Sequence, residues 1–179
     1  MTYPSAYVSY LVQFNGTRDF FECHELLEEY WKEHPGDPRS AIWVGLIQLA
    51  VGLYHERRGN WKGAIKMYEK ALEKLGEQSL DELGLDGARA LADLKLSYER
   101  LHAGQGEPIP YQDMTLTVTD PQLEEQCLRQ CQSLAVDWGR TSPLHEESLI
   151  HRHKLRDRSD VVAERAAAIE AKKRNRTVN

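Results

Sequence analysis

The sequence predicts an all-α fold, a compact antiparallel helical bundle with a C-terminal helical extension. Three observations carry that expectation. Apolar residues recur at helical spacing through most of the 179 residues. Proline, glycine, asparagine and aspartate punctuate the runs at intervals suited to short connections. Only one segment alternates like a strand, and it has no partner strand. The 41% apolar and 28% charged content is that of a globular chain, and a chain of this length can bury a core without metals or disulfides. No apolar run approaches the roughly 20 residues of a membrane span. The opening MTYPSAYVSY lacks the basic patch and long apolar stretch of a signal peptide, so a cytoplasmic protein is expected.

Taken in order, Pro4 suits a first helical turn, and Tyr7, Val8, Leu11 and Val12 keep one apolar stripe that ends near Asn15-Gly16. A second helix is expected from Thr17 or Arg18 to about Glu33, stopped by His34-Pro35-Gly36. Asp37-Pro38 reads as a cap and first position for a third helix over 38–57. That helix is apolar almost all round, which assigns it the centre of the bundle. Its Gly45 and Gly52 lie on one face. Glycine costs about 1 kcal/mol inside a helix, so another helix is expected to approach closely there. Gly59 ends this helix and Asn60 caps a fourth over 61–75. A turn-rich stretch precedes a helix over 86–102. In the loop that follows, Met114, Leu116 and Val118 alternate with polar residues. Asp120-Pro121 opens a helix to about Leu134, and helical patterning resumes after Pro143 as far as about Arg174. The expected organisation is a core over 1–102 carrying the candidate site, a loop over 103–119, and an extension over 120–179 packed on the core.

Cys23, Cys127 and Cys131 are too few for a disulfide scaffold and lack structural zinc spacing. Buried reduced thiols are expected, with a regulatory disulfide or soft-metal pair at Cys127 and Cys131 as the alternative. The net charge of −5 is uneven, because residues 152–176 carry nine Lys/Arg against four Asp/Glu. Such a basic helix folds back on the acidic body, stands solvated, or contacts an anionic partner. It has no aromatics to stack on bases, which argues against nucleic acid. His151 and His153 point about 200° apart on a helix, so a shared metal there would need non-helical backbone.

The segment FFECHELLEEYWKE holds the most unusual chemistry. His24, Glu28 and Trp31 share one helix face. An imidazole and a carboxylate one turn apart can present two ligands to a metal, act as base and orienter, or form a hydrogen-bonded pair. A zincin would need a second histidine where Glu28 stands. If the second and third helices form a hairpin, residue 24 lies opposite 50 and residue 28 opposite 46. Gln48 then falls between His24 and Glu28. His55 is offset by roughly 7–8 Å along the axis at 1.5 Å per residue and reaches the cluster through a shifted register or a water. Phe20, Tyr54 and Trp31 are the expected pocket wall, and Glu25 and Glu29 are expected on a solvated flank. Arg57, Arg58 and Asn60 are candidates for holding an anion at the mouth. The alternative is an exposed helix C-terminus, which favours cations.

GNWKGAIKMYEKAL looks like the turn and second helix of a tetratricopeptide repeat, with Ala64, Tyr68 and Ala71 at the packing positions. No second copy follows at a 34-residue interval, so a tetratricopeptide-like hairpin is expected, without an array. More specifically, RDFFECHELLEEYWKE, then WVGLIQLAVGLYHERRGN and KGA, resemble domain-of-unknown-function family 309. The hallmark is histidine, three residues, glutamate, two residues, then tryptophan or tyrosine. His24, Glu28 and Trp31 fit it over a resemblance spanning about residues 14–75. The resemblance implies small helical bacterial or archaeal proteins, an all-helical bundle and a suspected divalent-metal role for the motif. It names no activity.

Two functions follow. In the first, His24, Glu28 and Gln48, with His55 nearby, bind a divalent metal or small ligand, with or without catalysis. In the second, the chain is a non-catalytic helical interaction module that docks a protein partner or a second copy, and the His/Glu/Gln cluster is a structural hydrogen-bond network. No phosphate loop, nucleophile elbow or cysteine–histidine signature assigns a reaction.

Overall fold

A computed structural model describes residues 2–104 and 107–155. Among these residues the chain is all-α: α1 (Ser5–Val12), α2 (Phe20–Glu33), α3 (Ser40–Arg57), α4 (Trp61–Leu72), α5 (Glu77–Asp81), α6 (Gly87–Ala103), α7 (Pro121–Leu134), α8 (Glu147–Ile150) and α9 (Arg152–Leu155). The short α5 lies within the stretch expected to be turns. The third helix starts at Ser40, not 38, because Asp37 accepts from the Arg39 N–H (2.8 Å) in a turn of its own. The helical continuation to Arg174 and the basic residues Arg156 and Arg158 lie outside the described residues.

The helix starts follow capping chemistry. Asp19, Asn60, Asp86 and Asp120 each accept a backbone N–H from the first turn of α2, α4, α6 and α7. Pro121 takes the first position of α7, where a missing N–H is harmless.

α3 is the centre. Trp43, Leu46, Leu49, Ala50 and Leu53 are all buried on it. α2 returns antiparallel along it, with Tyr30 against Trp43 (ring centroids 5.8 Å) at one end and Phe21 against Tyr54 (5.6 Å) at the other. Asp37, in the connecting loop, accepts from Trp43 Nε1 (3.0 Å), Tyr30 Oη (3.3 Å) and Arg39 Nε (3.1 Å). One carboxylate thereby ties both helices to their turn. Burial alone would raise the Asp37 pKa, but the Arg39 and Trp43 donors outweigh it and hold the carboxyl well below its usual range.

The two glycines of α3 do admit a close neighbour. A Cβ at Gly52 would lie 2.4 Å from the Tyr68 ring, and one at Gly45 would lie 2.6 Å from Leu75. The Tyr68 hydroxyl donates to Glu56 Oε2 (2.6 Å), and Glu56 also pairs with Arg100. This buried link, unforeseen in the sequence, joins α3, α4 and α6.

A second unforeseen feature follows α1. Residues Gln13–Thr17 form a π-helical turn, and Arg18 takes a left-handed backbone (φ 61°) before α2 begins. An inserted π turn re-aims the chain, here turning two polar residues inward. Asn15 donates to the Leu116 carbonyl (2.7 Å) and accepts from the Leu116 N–H (3.0 Å), standing in for a strand. Arg18 donates to the carbonyls of Phe14, Met114 and Arg140 and to Thr115 Oγ1. The alternating segment is thus a strap held by side chains. Met114 and Leu116 are buried, and Val118 forms an isolated bridge with Leu85. The three cysteines are free and buried, and burial pushes Cys127 up to about 12.

Three outcomes test this account. Gly52→Ala forces a methyl into the Tyr68 ring and lowers unfolding free energy by about 1–3 kcal/mol in urea titration. Glu56→Ala leaves Arg100 and Tyr68 without their acceptor and costs about 3 kcal/mol or more, while Glu56→Gln costs less. Asp37 has a folded pKa below its unfolded value of about 3.9. Its contribution is therefore present above that value and lost as pH falls through the folded pKa. Asp37→Asn lowers stability at neutral pH and flattens the acid limb of a Tm–pH curve.

Candidate functional site

The α2 face carrying the motif is half-buried. His24 Nε2 lies 3.0 Å from Glu28 Oε2, and His24 Nδ1 lies 3.2 Å from Glu25 Oε1. Lys32, a further turn along, reaches Glu28 Oε1 at 3.0 Å. Burial raises the Glu28 pKa, but Lys32 and His24 outweigh it and leave the carboxyl below its ordinary value. Glu25 is therefore not on a separate solvated flank. One ligand atom each from His24, Glu25 and Glu28 lie within 4.8 Å of one another, the one such His/Cys/Asp/Glu group among the described residues.

The facing helix contributes a different set. Gln48 Oε1 is buried and accepts no hydrogen bond. With Tyr30 at Trp43 and Phe21 at Tyr54, the antiparallel register puts Gln48 level with the interval between His24 and Glu28. His55 lies further along α3, and Asn60 Nδ2 donates to its Nδ1 (3.0 Å). Burial and the Arg58 charge hold the His55 pKa down.

A cavity of about 230 Å³ opens between the two helices, bordered by Phe20, Phe21, His24, Val51, Tyr54, His55, Arg58 and His153. His24 from α2 and His55 from α3 thus both border it. Phe20 and Tyr54 border it. Trp31 does not; its Nε1 donates to Ser40 Oγ (2.7 Å) at the far end of the hairpin. The Tyr54 hydroxyl accepts from the His153 N–H (3.1 Å) and meets His153 Nδ1 (2.7 Å), so the C-terminal segment closes one side. Nothing in the spacing of His153 pointed there, because its approach depends on the path of a loop about 100 residues downstream. Arg152 beside it pairs with Asp19 and with Glu22 (3.1 Å to Glu22), folding this part of the basic stretch onto the body.

The three mouth residues separate. Arg58 lies over the Tyr54 ring, 5.0 Å from its centroid, with a buried Nε that has no acceptor. Arg57 is buried, so it is not part of an exposed helix end. It lies over the Phe20 ring (4.7 Å), and its Nη1 donates to the Arg18 carbonyl (2.7 Å), while its Nε and Nη2 have no acceptor. Asn60 caps α4 through Gly63 N–H (3.1 Å).

A family model described as Domain of unknown function (DUF309) matches residues 7–67, which hold α2, α3 and the motif. An "Uncharacterized protein YpuF" of Bacillus subtilis (strain 168) is 44% identical over 176 residues, covering 97% of this chain and 99% of the relative. No solved structure matches the chain. No helix among the described residues is long and apolar enough to cross a membrane.

Proposed function

The chain belongs to the family described as Domain of unknown function (DUF309), and we propose that it is a divalent-cation-binding protein whose ligands are His24 Nε2 and Glu28. The observation that carries this reading is the pair of carboxylates on one imidazole, at 3.0 and 3.2 Å. A metal-bound histidine characteristically donates its other ring N–H to a carboxylate, which fixes the tautomer and raises the basicity of the ligating nitrogen. Glu25 on Nδ1 is suited to that task and Glu28 to the ligand position. Adjacent ligands at about 2.1 Å from one ion stand about 3.0 Å apart in octahedral coordination and about 3.4 Å apart in tetrahedral. The spacing of Nε2 and Glu28 suits the octahedral geometry. Gln48 supports the same reading, since a buried amide oxygen without a donor is the electron-pair donor a cation satisfies.

A nitrogen with carboxylate and amide oxygens favours a first-row transition ion over calcium or magnesium, which take oxygen alone. Lys32 is a competing cation, but its ammonium is on the other Glu28 oxygen and is 62% exposed, so its charge is well screened. A ligating imidazole nitrogen has to be free of its proton, so protons compete with the cation for such a site.

The test is a melt with zinc, manganese or cobalt added to chelator-treated protein. A cation at about 100 times its Kd raises stability by about 2.7 kcal/mol. That rise is expected in the wild type and lost in His24→Ala and Glu28→Gln. Gln48→Ala is expected to reduce it, and Glu25→Gln to weaken affinity about tenfold or more. Elemental analysis showing no stoichiometric metal, together with melts indifferent to every ion, would mean that the cluster is a hydrogen-bond network pinning the helix face.

A further inference from the structure

The cavity beside the motif carries a chemistry of its own. Its walls are largely apolar, from Phe20, Phe21, Val51 and Tyr54. Its polar border consists of three imidazoles and one guanidinium, and among the described residues no acidic side chain borders it. Small-molecule sites combine this kind of apolar enclosure with a few polar groups that fix orientation. At about 230 Å³ it is smaller than the roughly 300–1,000 Å³ typical of drug-sized ligands.

Arg58 decides the ligand class. Stacking on Tyr54 holds its plane, so the guanidinium is pre-oriented at the cavity edge. The guanidinium is half-buried, borders the cavity and pairs with no carboxylate among the described residues, so an oxyanion is the complementary group for its donors. The negative end of α3 does not oppose this strongly, because the His55 and Glu56 carbonyls already accept from the N–H groups of Arg58, Gly59 and Asn60.

We propose that this cavity binds a small organic carboxylate, its apolar body between Phe20, Val51 and Tyr54 and its acid group on Arg58. The site adjoins the proposed cation site, because His24 borders the cavity, but the groups that would hold the carboxylate, Arg58, Phe20, Val51 and Tyr54, have no part in cation binding.

Benzoate is the probe, titrated into the full chain in chelator-treated buffer so that failure of cation binding leaves the result intact. Thermal shift gives binding, and the Val51 methyl resonances give its location. Benzoate is expected to raise Tm and to shift the Val51 methyls. Arg58→Gln is expected to weaken it about tenfold or more. Val51→Phe, which fills the cavity, is expected to abolish it, while Arg129→Gln on the distant surface leaves it unchanged. No effect at about 10 mM benzoate, above the roughly millimolar Kd such a small ligand reaches, overturns the proposal. So does binding that survives both Arg58→Gln and Val51→Phe. Benzyl alcohol binding equally well removes the role of the acid group, and inorganic phosphate binding equally well removes the role of the apolar walls.

Discussion

The register between α2 and α3 depends on Asp37. A carboxylate only 6% exposed at its side chain accepts from a residue of each helix and from the turn between them. Such a group is tolerated in the interior because its lone pairs are taken up by donors and its charge by Arg39. Once that end is fixed, the helical rise carries the alignment along the hairpin. Phe21 arrives at Tyr54, Gln48 falls level with the motif, and His24 and His55 border the same cavity. The placement of every motif side chain is therefore settled about two turns away from the motif itself, at a loop with no chemical part in it.

Much of the helical content was legible because it rests on local rules. Asn60 and Asp120 announce helix starts through a side-chain oxygen, and that chemistry needs no knowledge of the rest of the chain, whereas α2 starts at Phe20, two or three residues later than expected, because Asp19 is its cap. Gly45 and Gly52 were also legible, since an unfavourable residue retained in a central helix implies a neighbour. What was not legible depends on long-range approach. Glu56 looks like any charged residue near a helix end, and only the arrival of Tyr68 and Arg100 makes it interior. The π turn at Gln13–Thr17 has no local signature beyond Asn-Gly, and its stability comes from Leu116 and Met114, about 100 residues away.

The candidate site divides along the same line. His24, Glu28 and their spacing are a property of one helix. Glu25 and His24 diverge by about 100° around the helix, yet a long carboxylate beside an imidazole with two nitrogens bridges that angle. His153 and the burial of Arg57 belong to the tertiary structure alone. The site is thus a local motif completed by residues that other parts of the chain deliver.

The contact between Gly52 and Tyr68 has a consequence for how this chain can diverge. The ring lies on the backbone of α3, and its hydroxyl reaches one turn further to Glu56, which in turn holds Arg100. Four positions on three helices therefore form a single unit of inheritance. A lone replacement of Gly52 by a larger residue creates a clash, and a lone loss of Glu56 or Arg100 leaves the other's charge unmatched, so lasting change at these positions comes in concert.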